Sequence, residues 1–219
     1  LGVRDLVIVG AGGTSREIAD TVEAVNRCER RWNLLGFLDD DAAKHGTSVD
    51  GLPVLGNIGF KVDSEAQFII GVASWRTPDA RRGIVTRLGL PLERYATIIH
   101  PSALISAHAT IGAGTAILQN VVITPGTRVG NHTLILQNVT MAHDQIVEDF
   151  VTIASGATIA GSVRLRSGCY IGAGCTIMNG ITVNGGALAA VGAVVMNEVE
   201  AGRTVAGNPA RPLPNLRRH

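Results

Sequence analysis

The sequence predicts a two-part chain, a small α/β domain over residues 1–98 followed by a parallel β-helical solenoid over 99–219. Three observations carry this prediction. From Ile99 an aliphatic residue returns every sixth position as far as Val195, and only Met141 and Ala189 of the seventeen are not Ile, Leu or Val. A second series, four residues after each of these, is nearly all small: Ala103, Ala109, Thr115, Val121, Thr127, Thr133 and Val139, until Gln145 interrupts it. Before residue 99 the pattern differs, with short apolar runs alternating with helical spacings and glycine turns.

Within the first part the elements follow in order. "DLVIVGAGG" reads as a short buried strand running into a glycine turn. "SREIADTVEAV" places Ile18, Val22 and Val25 on one helical face, with Ser15 as the expected N-cap. "WNLLGFLDDD" is a second strand ending in acids, and "AQFIIGVAS" a third. "TPDARRGIVTRLGL" reads as a helix with Pro78 in its first turn. Strands that alternate with helices imply a small parallel sheet.

The second part cannot be an amphipathic helix, because a period of six is not a multiple of 3.6. It fits a solenoid in which each hexad supplies one flat side and three hexads make a coil. The small residue and the next aliphatic are two apart, so strand alternation sends both inward. "ILQNVV" at 117 and "ILQNVT" at 135 lie eighteen residues apart, one coil of three hexads.

Composition agrees. The chain is 46% apolar but only 4% aromatic, with 27 glycines, which suits many thin aliphatic layers rather than ring-centred clusters. A net charge of +1 without blocks of one sign gives no reason to expect a nucleic-acid or membrane-surface partner. Three cysteines are too few for a disulfide framework and lack zinc-ligand spacing, so no metal is expected. Cys169 and Cys175 fall on the small inward series. "LVIVG" is too short for a secretory leader and no run is long enough to span a bilayer, so the expected location is cytoplasmic.

Two hexads, "IGAGTA" and "IGAGCT", together with "GAGGTSRE", "FLDDD", "IHPSALIS", "AHDQ" and "AGNPARPL" in that order, carry a family likeness over the whole chain. In them the chain resembles the hexapeptide-repeat acyltransferases, within these the bacterial nucleotide-sugar N-acetyltransferases of the sialic-acid and bacillosamine type (NeuD/PglD-like). The resemblance implies a small Rossmann-like N-terminal domain holding a nucleotide sugar and a left-handed β-helix using acetyl-CoA. It also implies a homotrimer with the active site at the subunit interface, where outward Leu118, Leu136 and Met178 offer an apolar face.

"GAGGTS" nearly matches a dinucleotide fingerprint, with Asp39 where a ribose-binding acid would end the second strand. Ser15 replaces the third glycine, and fewer than one hundred residues remain for this domain, too few for a full dinucleotide sheet. An NAD-dependent oxidoreductase is therefore disfavoured. Backbone amides at a helix N-terminus still suit a phosphate. The resemblance assigns Gly12, Gly13 and Thr14 to the diphosphate, Asp39 and Asp40 to the base or ribose, and Gly71 to close backbone approach; Thr14 stands where the family often has His.

Of six histidines, His100 before Pro101 reads as a cap or surface residue, and His108 and His132 occupy an outward hexad position facing solvent or a neighbouring subunit. His143 differs: Asp144 follows it, and both inward positions of its hexad, Met141 and Gln145, are atypical. Acyl transfer to an amine needs a base near neutral pKa, which imidazole supplies. The resemblance makes His143 that base and gives Asp144 the task of orienting the ring or the amine. One coil further lies Gly161, where the family uses a backbone amide as oxyanion donor. Leu136 stands where the family often carries Asn, so support from that side falls to Gln137, Asn138 or Gln145. Matching by hexad register puts acetyl-CoA contacts at Thr152, Ala154, Ala173 and Gly192, and then at Gly207, Asn208, Pro209 and Arg211 of the tail, while Arg217 and Arg218 read as solvated. Two alternatives stay open: O-acetylation of a sugar on the same fold, and a solenoid that serves only as a scaffold.

Overall fold

The computed structural model describes residues 2–60, 62 and 65–213, so Arg217 and Arg218 lie outside the described residues. The N-terminal domain contains β1 (Arg4–Val9), α1 (Gly13–Cys28), β2 (Trp32–Leu38), β3 (Ser48–Val49), β4 (Leu52–Gly56), β5 (Gln67–Ile70) and α2 (Ala80–Leu88). Its sheet runs β3-β4-β2-β1-β5 and is parallel except for the β3–β4 hairpin. Strand β1 lies inside the sheet between β2 and β5, and its run from Leu6 to Val9 is fully buried on both faces. The β3–β4 hairpin is absent from the sequence reading, because "SVDGLPVLG" is short and broken by glycine and proline.

Two helix boundaries differ from expectation. Helix α1 starts at Gly13 with Gly12 as its N-cap, and Ser15 lies buried inside it, its hydroxyl donating to the carbonyl of Gly71 at 3.3 Å. Helix α2 starts after Asp79, so Pro78 precedes the helix rather than filling its first turn. Gly89, with φ +59, ends α2 and donates to the Val85 carbonyl, as a left-handed cap does.

The solenoid consists of two-residue strands from Ile98–Ile99 to Val194–Val195, arranged in three parallel sheets. Partners are one coil apart in every pair, as in Val122↔Thr140 and Thr140↔Thr158. Inward residues such as Val121, Ile123, Val139 and Met141 form one continuous core that includes Cys169 and Cys175. From Gly114 to Gly192 each corner takes a left-handed residue. Gly114, Gly126, Gly156, Gly168, Gly174, Gly180, Gly186 and Gly192 supply it, while Asn120, His132, Asn138, Asp144, Phe150 and Ser162 adopt it at φ +52 to +63. Asn and Asp tolerate this conformation through their short polar side chains. His132 and Phe150 have no such excuse, and both lie where the two domains meet.

That junction corrects three outward assignments. Leu118 and Leu136 do not form a free apolar face: they are 0% and 9% exposed, packed with Leu134 and Ala154 in one cluster with Ile18 and Val22 of α1. Each fully buried leucine contributes roughly 2 kcal/mol. Only Met178 of that trio stays exposed. His132 is 4% exposed rather than facing solvent, its ring edge-on to Tyr95 and stacked on Phe150 one coil away.

Burial, aided by the nearby Arg81 cation and opposed by Asp149, pulls the His132 imidazole down to about 4. An unfolded imidazole titrates near ~6.5, so between that value and 4 the unfolded chain binds more protons, and stability falls as pH drops through this window. The loss is absent above the window, complete below it, and amounts to roughly 3 kcal/mol. Urea unfolding at pH 7 and pH 4.5 is expected to show wild type losing about 2 kcal/mol more than His132→Phe; equal losses in both would refute the assignment.

Candidate active site

The glycine turn after β1 presents an open helix N-terminus. Gly12 and Gly13 are exposed, and a side chain built on either would meet nothing within 4 Å. No side chain caps α1 and no acid lies in its first turn, so its leading amides face outward, as anion-binding helix starts do. Thr14 is half-buried beside them.

The two acids are already engaged. Asp39 accepts from the amides of Ala11 (2.8 Å) and Asp41 (2.9 Å) and from Lys44 Nζ (3.1 Å). Burial acts to raise its pKa, yet these bonds outweigh burial and hold it below the usual carboxylate range. Asp40 takes two bonds from Arg87 Nη2 at 2.6 and 2.7 Å, which with the Ile58 amide keep its carboxyl low as well. Asp39 therefore frames the turn, and a ribose reaching either acid competes with protein donors. Gly71 also has a different reason from the one expected. A Cβ there would lie 2.7 Å from Ser15 Cα, so the missing side chain lets α1 approach β5, not a ligand.

On the solenoid, His143 and Asp144 occupy the corner between Thr140–Met141 and Ile146–Val147. Asp144 takes the left-handed turn position at φ +58. The dipeptide is anchored along the coil axis, with the Asp144 amide donating to the Pro125 carbonyl and the Ser162 amide donating to the His143 carbonyl. Gly126, one coil before, leaves room for the Asp144 carboxylate, which a Cβ there would strike. Nothing in the sequence singled out Gly126 beyond its corner position.

His143 Nδ1 lies 2.9 Å from Asp144 Oδ2, and both side chains are about two-thirds exposed, at 66% and 67%. A carboxylate can only accept, so in neutral imidazole Nδ1 carries the proton and Nε2 is left as the acceptor. Gly161 lies against the other side of the ring: a Cβ on it would be 2.7 Å from both Cε1 and Nε2. Gly161 is buried, and among the described residues nothing accepts from its amide. At some corners a side chain accepts from the amide in this register, Asn131 from Ala113 and Asp149 from Asn131, while at others, such as Gln137, Ser155 and Ala173, none of the described residues does.

The residues matched to an acyl donor are not all open. Thr152 is 2% exposed with its hydroxyl accepting from Arg81 Nη2 at 2.8 Å, and Ala154 is packed in the junction cluster. Neither side chain can line a pantetheine arm, because the N-terminal domain covers them. Ala173 is half-buried and Gly192 exposed. Beside these two, Trp75, Tyr170, Gly172, Leu188, Ala190 and Val191 line an apolar groove of about 310 Å³. It sits at a different corner from His143, further along the coils. Gly207, Asn208 and Pro209 form an exposed turn after Thr204–Ala206, and Arg211 lies exposed in the strand that folds back on it. Among the described residues no group of His, Cys, Asp or Glu is arranged to hold a metal, and no helix is long and apolar enough to cross a membrane.

A six-residue β-helix bearing a histidine–carboxylate corner beside an unpaired amide, joined to an open glycine turn, defines a hexapeptide-repeat protein built for group transfer. The family model for the GMPPB C-terminal domain matches residues 94–203, and that for the PglD N-terminal domain matches 5–88. UDP-N-acetylbacillosamine N-acetyltransferase of Bacillus subtilis (strain 168) is 30% identical over 119 residues, 53% of this chain and 52% of that one, so the match spans about half the length of that relative. The acetyltransferase domain of PglB from Neisseria gonorrhoeae FA1090, solved in complex with acetyl coenzyme A, is 30% identical with a TM-score of 0.83, covering 97% of this chain and 100% of that domain. PerB from Caulobacter crescentus, solved with CoA and GDP-perosamine, shares the fold at 19% identity, with a TM-score of 0.82 over 97% and 99% of the two chains. The chain belongs to the hexapeptide-repeat acyltransferases, with a GMPPB C-terminal-type solenoid behind a PglD-type N-terminal domain.

Proposed function

We propose that this chain is an acetyl-CoA-dependent N-acetyltransferase acting on the amine of a nucleotide-linked amino sugar, of the UDP-, GDP- or dTDP-4-amino-4,6-dideoxyhexose type. The observation that carries the reading is the corner itself: His143 holds Nδ1 against Asp144, and the unpaired Gly161 amide lies beside the ring. His143 Nε2 takes a proton from the amine as its nitrogen bonds to the thioester carbonyl. The Gly161 N–H donates to the oxygen that gains charge. The carbon–sulfur bond then breaks, the acetyl group stays on nitrogen, and the proton on Nε2 goes to the departing CoA thiolate.

The open amides of Gly12, Gly13 and Thr14 suit the diphosphate, with Asp39 holding the turn in shape. Relatives solved with CoA and with GDP-perosamine support both ligand classes. The apolar groove beside Ala173 and Gly192 suits a pantetheine arm, with Arg211 on the tail available to a phosphate. Because that groove and His143 occupy different corners, a second copy of the chain has to bring one to the other. This supports a homotrimer with the site at the subunit interface.

The test is a thiol-release screen with acetyl-CoA and UDP-, GDP- and dTDP-linked amino sugars. One acceptor is expected to release thiol and to yield a product stable to hydroxylamine, as an amide is. A hydroxylamine-labile product would favour the O-acetyl reading, and no release from any acceptor would favour the scaffold.

A further inference from the structure

The small inward series has one conspicuous exception. In the column 109, 127, 145, 163 and 181, one residue per coil, the side chains are Ala109, Thr127, Gln145, Val163 and Ile181. Gln145 is 0% exposed inside the solenoid. Its Nε2 donates to the carbonyls of Ile159 (2.8 Å) and Ala160 (3.1 Å). Carbonyls only accept, so the nitrogen must face them, and among the described residues Oε1 is left buried without a partner. A core position that normally takes a small residue thus holds a long amide with half its hydrogen-bonding capacity unmet. Such a group in a native core calls for a reason.

The reason lies in what the bond reaches. The Ala160 carbonyl and the Gly161 N–H belong to one rigid, planar peptide unit. A donor on the inner oxygen fixes the rotation of that plane and so the outward aim of the N–H. It also polarises the peptide, which strengthens the N–H as a donor. One coil before, Thr127 Oγ1 donates to the Ala142 carbonyl at 3.3 Å, in the peptide that carries His143. Val163 and Ile181, further along the same column, have no group that could do this. In this column, then, side-chain donors occur only under the peptides leading into His143 and Gly161. Elsewhere threonine serves the same bond with one donor, as Thr115 does to Gly130. Only beneath Gly161 does a two-donor amide replace it.

We infer that Gln145 is a positioning residue that holds the Ala160–Gly161 peptide so that its N–H meets the developing oxyanion. The inference rests on the proposed acetyl transfer, and it acts through Gly161 rather than by touching substrate.

The test compares Gln145→Val and Gln145→Thr with wild type and His143→Ala. Gln145→Val takes the residue found one coil later and fits the column. It is expected to lower kcat by about tenfold to a hundredfold, the scale of a small misplacement at a reacting centre. KM for both substrates should stay within about twofold, and the pH profile of kcat should keep its shape, because the base is untouched. Gln145→Thr, restoring one donor, should recover part of kcat. In protein labelled with ¹⁵N-glycine, the Gly161 amide resonance should shift in Gln145→Val and return towards wild type in Gln145→Thr. The inference is overturned if wild type is active and His143→Ala inactive while Gln145→Val keeps full kcat, or if kcat and both KM values worsen together with thermal stability. If wild type itself releases no thiol from any acceptor, the acetyl-transfer reading has failed, and this inference with it.

Discussion

Replacing His143 with alanine is expected to slow thiol release by about 10²- to 10⁴-fold while leaving KM for acetyl-CoA and the nucleotide sugar nearly unchanged. The direction follows from the tautomer that Asp144 enforces. With Nδ1–H given to the carboxylate at 2.9 Å, Nε2 has an exposed lone pair, and it is the group beside the Gly161 amide. An amine that bonds to carbonyl carbon becomes strongly acidic, so a base is needed during attack rather than before it. Loss of the imidazole removes an interaction made in the transition state, so kcat falls and binding does not. The fold should tolerate the change, because the side chain is two-thirds exposed and the corner is held by backbone bonds to Pro125 and Ser162. Steady-state kinetics with the acceptor found in the screen measures the effect. A variant within a few-fold of wild type would mean that the bound amine needs no base, and that His143 serves the turn alone.

Replacing Arg81 with methionine is expected to cost on the order of 3 kcal/mol of stability. Arg81 is 4% exposed and has no carboxylate partner among the described residues. Its guanidinium donates to the carbonyls of Val72, His132, Phe150 and Val151 and to Thr152 Oγ1, at 2.5 to 3.1 Å. Burial pulls its pKa down to about 10, which still leaves it protonated at neutral pH. Methionine fills much of the same volume but leaves the Val72, His132 and Phe150 carbonyls without a donor in a closed junction, while that of Val151 keeps the Leu134 amide. Lysine, with three donors on one point, should fall between the two. Urea unfolding, with hydrogen exchange to locate the loss at α2 and the coils it touches, checks the result. A methionine variant within about 1 kcal/mol of wild type would show that water or repacking satisfies the carbonyls.

Arg81 also marks the limit of what a linear reading could find. In "TPDARRGIVTRLGL" it is one arginine of three on a short helix, and its partners lie 9 to 71 residues away with no periodic link to it. Ser15 and Gly71 behave alike. Each looked like a local device, a cap and a ligand-facing glycine, whereas they are the two sides of one close approach.

The six-residue period determined the solenoid, its coil of eighteen residues and the inward columns, because every term in that pattern is a short-range requirement repeated along the chain. The same arithmetic was enough to bring Gly161 to His143. The pattern also tells inward from outward, but not which outward residues stay in water. Leu118, Leu136, Thr152 and His132 are outward residues of the coil, and they are buried because α1, α2 and Tyr95 cover them. That choice depends on how two separately patterned surfaces dock, through contacts that recur nowhere in the sequence. It is made by tertiary packing alone. The sequence could mark Gln145 as out of place in its column, but only the folded coil shows which peptide it holds.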